Sequence, residues 1–232
     1  MIYLGIETAN APLSVAVVKD GKVIAEIVQN NKVTHSNGAM PAVEEVLQKA
    51  KITAAELDAI AVSQGPGSYT GVRIGVTIAK TLAWTLQIPL VGVSSLQALA
   101  SNASLYSGLI CPIVDARRQH VYTALYEGLT LEEIMVDTHE SIEDLCIKLK
   151  AFARPVLFVG TDVDSYWETI EKQLGHLAIR APKALDLPRA SQIVQIAMEQ
   201  ELPDASAAHH FVPQYKRIAE AEANWIKEQK KG

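Results

Sequence analysis

The sequence predicts an α/β protein made of two lobes with similar element order. Three features carry that prediction. An apolar run from Ile60 to Val62 stops at Gly65-Pro66-Gly67, and a long helical pattern follows from Gly71 to Leu86. Near the start, Asp20-Gly21 sits between two apolar runs, the short-range signature of a hairpin. From Leu109 the same order of patterns partly repeats.

Taken in order, Met1 to Ile6 reads as a buried strand, followed by the polar turn Glu7 to Pro12. Strands from Leu13 to Lys19 and Lys22 to Gln29 flank the Asp-Gly turn. The segment Thr34-His35-Ser36 opens an amphipathic helix to Ala50, with Ala39, Met40, Val43, Val46, Leu47 and Ala50 at helical spacing. Leu57 to Ser63 is a fourth strand, Pro89 to Val93 a fifth, and Ser94 or Ser95 caps the next helix. The second half reads as strands Leu109 to Val114, Gln119 to Tyr126 and Leu131 to Val136. Helix Ser141 to Lys150, strand Val156 to Gly160, helix Asp164 to Gln173 and strand Leu177 to Arg180 follow. A further helix is predicted over Leu187 to Gln200, with Pro188 in its first turn, and a charged helical tail over Ala219 to Gly232. This order is similar to the ribonuclease-H-like lobe of actin, sugar kinases and Hsp70 (the ASKHA superfamily), in which lobes come in pairs. The boundary falls near Ser104, giving lobes 1–104 and 105–232.

Composition excludes several classes. With 49% hydrophobic and 20% charged residues the chain has enough apolar material for a packed core. A net charge of -5 supplies no global basic field, so tight autonomous nucleic-acid binding is disfavoured. Cys111 and Cys146 are too few for a disulfide framework and lack metal spacing. Neither a secretory leader nor a bilayer-spanning run is present, so a cytoplasmic protein is expected.

The glycine-rich junction admits two readings. Strand, glycine turn and helix can aim backbone N–H groups at a phosphate, although no Gly-Lys-Ser/Thr ends this turn. Alternatively the glycines serve close strand-to-helix packing. No Gly-x-Ser-x-Gly nucleophile elbow is present, and the six histidines have no spacing that favours a shared metal. On the helix after the glycine turn, Val72, Ile74, Val76, Ile78, Ala79, Leu82, Ala83 and Leu86 cover roughly 200° of the wheel, wider than one sheet contact needs. The more polar face carries Arg73, Thr77, Lys80 and Trp84, with Trp84 a candidate anchor.

Gly5-Ile6-Glu7-Thr8, the run Gln64 to Gly75, Val114-Asp115-Ala116-Arg117-Arg118 and Pro213-Gln214-Tyr215 together resemble the TsaB (YeaZ) family over nearly the whole chain. The resemblance implies a bacterial protein that works with TsaD in making threonylcarbamoyladenosine on tRNA. TsaD-like enzymes bind metal through His-x-x-x-His after a strand matching Pro89 to Val93, and here Ser95 and Leu99 stand at those positions. Ala11-Pro12 stand where such enzymes carry Asp-Glu, and Asp115-Ala116-Arg117-Arg118 replaces a glycine-rich phosphate turn. Glu7 reads as a turn acceptor rather than a catalyst.

The expectation is therefore a non-catalytic platform subunit that binds and activates TsaD, with no catalytic residue, metal or cofactor of its own. By resemblance it pairs through helices 36–50 and 71–86. The candidate partner-binding residues are Met40, Val43, Leu47, Val72, Arg73, Ile74, Val76, Thr77, Ile78 and Trp84. Alone it would form a homodimer through the same helices; TsaE, an ATPase, is a further implied partner, and tRNA contact is indirect. Gly65, Gly67, Arg117 and Arg118 are candidate anion or nucleotide contacts, leaving room for weak nucleotide binding at the TsaD interface. The competing reading is an ATP- or metal-dependent enzyme acting alone. A third is an anion- or RNA-binding module using Arg117, Arg118 and Lys216-Arg217.

Overall fold

A computed structural model describes residues 1–30 and 34–216. The first sheet has the order β3 (Lys22–Gln29), β2 (Leu13–Lys19), β1 (Ile2–Glu7), β4 (Ala59–Ser63), β5 (Leu90–Val93). β1, β2 and β3 pair antiparallel, while β4 and β5 join in parallel, with Gly5 opposite both Ala16 and Ala61. The second sheet repeats this as β8 (Glu133–Ser141), β7 (His120–Glu127), β6 (Leu109–Asp115), β9 (Val156–Val159), β10 (Ala178–Arg180). The chain is thus two ribonuclease-H-like lobes, as its element order implied. The predicted third strand of the second half starts later and runs on to Ser141, whose hydroxyl then caps the next helix by accepting from Asp144 N–H. The tail from Ala219 onward lies outside the described residues.

Alternation along the strands sorts the helices into layers. Leu4, Ile6, Val15, Val17, Ile60 and Val62 point to one face of the first sheet. There they meet α1 (His35–Ala50) and α2 (Tyr69–Leu86). Tyr3, Val18, Ala59 and Ala61 point to the other face and meet α6 (Ala190–Met198). Beside α6 lies α3 (Ser95–Ser101), whose Leu96 and Leu99 pack on Ile110, Val114, Tyr126 and Leu157 of the second sheet. α4 (Ile142–Ala151) and α5 (Trp167–Leu174) cover the far face of that sheet. The α3–α6 pair is therefore a helical layer between two sheets.

This arrangement departs from the reading by chain order, which assigned 105–232 to the second lobe. Helix α6 instead packs on β1, β2, β4 and β5 of the first. Its start is held there by polar contacts: Ala190 N–H donates to Ser14 Oγ (2.9 Å), Ser191 N–H to Glu26 Oε1 (2.9 Å), and Arg189 Nη2 to Glu26 Oε2 (2.6 Å). Arg189 rather than Leu187 precedes the helix, so Pro188 lies before the first turn. The Ala190 backbone approaches so closely because β1 offers no side chain at Gly5. A Cβ there would lie 2.6 Å from Ala190 O and 2.8 Å from Val194 Cγ2. Gly5→Ala is therefore expected to destabilise the fold by about 1–2 kcal/mol through overpacking. A thermal melt unchanged from wild type would show that α6 yields freely.

Candidate functional site

The helices α1 and α2 divide the expected partner residues by depth. Val43, Val72 and Val76 are almost fully buried, packed on the first sheet, and do not form a surface for a partner. The reason is geometric: Val72, Val76, Ala79 and Ala83 are the centre of the apolar arc of α2 and face the strands. Leu47, Ile74 and Ile78 are half-buried at the edge of that core. Met40 is 47% and Trp84 54% exposed, and Arg73 and Thr77 also face outward. The outer band of α1 and α2 thus keeps Met40, Leu47, Ile74, Ile78, Arg73, Thr77 and Trp84.

One flank of α2 is occupied from within the chain, which the helical wheel did not foresee. Residues 205–216 run along it. Lys80 Nζ donates to Phe211 O (3.0 Å), Trp84 meets His209 edge-on at 5.8 Å, and Tyr69 packs against Tyr215 at 4.9 Å between ring centroids. Arg73 lies over the Tyr69 ring and donates to its hydroxyl (2.7 Å). Gln214 N–H closes the segment onto Gln64 O (2.8 Å). The motif Pro213-Gln214-Tyr215 was visible in the sequence, but its place beside α2 is a long-range contact that no local periodicity encodes.

The glycine turn serves packing. Gly65 has φ +103, a backbone that favours glycine, and its missing Cβ would fall 2.7 Å from Gln214 O. At Gly67 a Cβ would fall 2.2 Å from Ala9 O. Two of the turn's N–H groups are engaged internally: Ser68 N–H donates to Ala9 O (2.7 Å) and Gly71 N–H to the capping Ser68 Oγ (3.3 Å). From the following helix, Ser95 N–H donates to Gly65 O (3.0 Å) and the Ser95 hydroxyl to Pro66 O. Ser95 and Leu99 are both buried, one hydrogen-bonded to the turn and the other in the apolar core. That pair does not fit a metal. Among the described residues no group of three or more His, Cys, Asp or Glu could hold one.

Glu7 is fully buried below this turn and accepts from Ala9 N–H (2.6 Å), as a turn acceptor does. Burial pushes its carboxyl up to about 7, against the lowering effect of the Ala9 N–H.

Between the lobes lies a cleft of about 740 Å³. Its first-lobe wall is formed by the turns at Ala9–Ala11 and Gly67–Thr70, its second-lobe wall by Val114–Arg117, Tyr122 and Asp162, and Gln214, Tyr215 and Lys216 line it as well. Of the four expected anion contacts, Gly67 and Arg117 line it, while Gly65 and Arg118 do not. Asp115 shapes the turn: its Oδ1 accepts from Arg117 N–H (2.7 Å) and from the Tyr166 hydroxyl (2.5 Å), while its own N–H donates to Asp162 Oδ2 (2.8 Å). Arg117, Arg118 and Gln119 all take positive φ, at 66°, 56° and 61°. Burial and the neighbouring Asp115 charge push the Asp162 carboxyl above its ordinary range. Arg117 and Lys216 line the cleft, and Arg217 lies outside the described residues.

The sequence matches the family described as TsaD, tRNA N6-adenosine threonylcarbamoyltransferase, over residues 22–225. A Bacillus subtilis protein named tRNA threonylcarbamoyladenosine biosynthesis protein TsaB is 46% identical over 99% of this chain and 100% of its own length. The Escherichia coli protein of the same name is 31% identical over 94% and 95% of the two chains. Among solved structures, a Pseudomonas aeruginosa protein described as similar to peptidase YEAZ superposes with a TM-score of 0.77. It shows 26% identity and covers 93% of this chain and 99% of that one.

Proposed function

The chain belongs to the TsaB (YeaZ) family of tRNA threonylcarbamoyladenosine biosynthesis proteins, and from that premise we propose that it acts as a non-catalytic subunit that binds and activates TsaD. One observation carries the reading. Helix α3, where a TsaD-like enzyme would present its metal ligands, presents Ser95 and Leu99 to the protein interior instead. A hydroxyl already donating to a backbone carbonyl and an isobutyl side chain offer a metal no donor set. What remains for function is surface. The edge of α2 at Ile74 and Ile78, with Met40 and Leu47 of α1, is apolar and incompletely covered, a composition that suits the core of a protein interface.

In this reading TsaD docks on α1 and α2, the free chain forms a homodimer through the same helices, and TsaE joins the assembly. Contact with tRNA is indirect, in keeping with a net charge of -5. No helix among the described residues is long and apolar enough to cross a membrane, and the proposed workplace is the cytoplasm, with tRNA. Size-exclusion chromatography with light scattering tests the proposal. The chain alone should elute as a dimer and convert to a one-to-one complex when TsaD is added. Ile74→Glu combined with Ile78→Glu should weaken both assemblies more than tenfold while the circular dichroism spectrum stays native. A chain that stays monomeric and ignores TsaD would sink the reading.

A further inference from the structure

The two lobes meet through a side-chain hydrogen bond that the platform role does not use. Asp137 lies in β8, the edge strand of the second sheet, and its Oδ2 accepts from the Ser94 hydroxyl (2.7 Å). Ser94 follows β5, the last strand of the first sheet. Its hydroxyl oxygen also caps α3, accepting from Leu96 N–H (3.2 Å) and Gln97 N–H (3.3 Å). The other Asp137 oxygen accepts from the hydroxyl of Tyr126 (3.4 Å), a ring in the same buried cluster as Leu96 and Leu99. Asp137 is therefore half-buried at the seam between the lobes.

Two routes lead from this carboxylate to the first turn of α2. One runs through the neighbour of Ser94. Ser95 N–H donates to Gly65 O (3.0 Å) and the Ser95 hydroxyl to Pro66 O, so the stretch bonded to Asp137 also grips the turn that opens α2. The other runs through Lys216. Burial pushes the Asp137 carboxyl above its ordinary range, against the Ser94 hydroxyl and the positive charge of Lys216. Just before Lys216, Gln214 N–H donates to Gln64 O (2.8 Å) and Tyr215 packs on Tyr69, the first residue of α2. Contiguous hydrogen bonds and packed side chains are the physical means by which two places in a fold are coupled. We propose that Asp137 is a clasp between the lobes, holding the two walls of the cleft together and the first turn of α2 in place. Parting the lobes and loosening that turn are then one event, with the packing of Leu96 and Leu99 on the second sheet as the hinge. This coupling belongs to the chain alone and holds whether or not TsaD docks on α2.

Spin labels and amide exchange on the full chain test the clasp. Cys111 and Cys146 are buried, so labels on Thr70→Cys and Glu168→Cys, both at exposed positions, report the separation of the lobes. Asp137→Ala should move the label distances to longer values. It should also speed exchange of the Ser68, Val72, Ser95 and Gln214 amides at least tenfold, with the amides of β1 and β2 unchanged. Asp137→Asn keeps an oxygen for the Ser94 hydroxyl and loses only the attraction to Lys216. It should leave Ser68, Val72 and Ser95 at the wild-type rate and speed Gln214 alone, as should Lys216→Gln. In Asp137→Ala, longer label distances with slow amides, fast amides at unchanged distances, or no change in either would overturn the proposal. So would equal acceleration in β1 and β2, the mark of a residue that only stabilises the whole fold, or an Asp137→Asn variant indistinguishable from Asp137→Ala.

Discussion

Glu7→Gln is expected to flatten the pH dependence of folding stability between about pH 4.5 and 7, and at pH 8 to make the protein about 3 kcal/mol more stable than wild type. The Glu7 carboxyl is held at about 7 in the folded chain against an ordinary 4.5, with burial the largest cause. The folded state therefore binds a proton more tightly than the unfolded chain does. Stability from this group is complete below about pH 4.5 and is lost as pH rises through about 7. The gap corresponds to about 3 kcal/mol in full. Glutamine keeps a carbonyl for the Ala9 N–H and cannot ionise, so its stability curve should run level. Denaturant midpoints at pH 5, 6, 7 and 8 measure the effect, and parallel curves for the two proteins would show that Glu7 is not its source.

Asp186→Ala should cost about 3 kcal/mol, lowering the melting temperature by roughly 6–12 °C. The Asp186 carboxylate is 93% buried by side-chain area (7% exposed). It accepts from Arg180 Nη1 (2.9 Å) and Nη2 (2.5 Å) and from Gly160 N–H (2.9 Å). Removing it leaves a mostly buried guanidinium and a buried N–H without their acceptor at the outer edge of the second sheet. Asp164, which also bonds Arg180 (2.9 Å) but is 53% exposed, provides the control. Water replaces its contribution, so Asp164→Ala should leave the melting temperature close to that of wild type. Equal losses for the two variants would mean that burial does not set the strength of this network.

The fold was legible because its signals were local. Apolar runs bounded by turn residues marked the strands, Asp20-Gly21 the first hairpin, and the junction at Gly65-Pro66-Gly67 the turn into α2. Of the proposed partner surface, the helices α1 and α2 were found from periodicity, but the depth of their residues was not. A wheel shows that Val72 and Ile74 are both apolar, and only the packed sheet shows that Val72 is core while Ile74 is rim. The segment 205–216 beside α2 and the return of α6 to the first sheet depend on contacts between residues more than fifty positions apart. A sequence pattern carries no such information. Gly67 shows the same limit in reverse: its residue type suggested an anion site, and its neighbour Ala9 O explains it by packing.

Because α6 covers the inner face of the first sheet, ribosomal synthesis and folding run out of step in this chain. When Val93 emerges, all five strands of that sheet exist, yet Tyr3, Val18, Ala59 and Ala61 have nothing over them until Ala190–Met198 arrive. At typical elongation rates that is a wait of roughly 5–20 s. For that interval the nascent protein carries a sheet with one apolar face bare, a surface that chaperones and neighbouring chains compete for. The first lobe is consequently not a module that could be cut out and expressed alone. Its last structural element is supplied by Ala190–Met198, after every strand of the second sheet has been made.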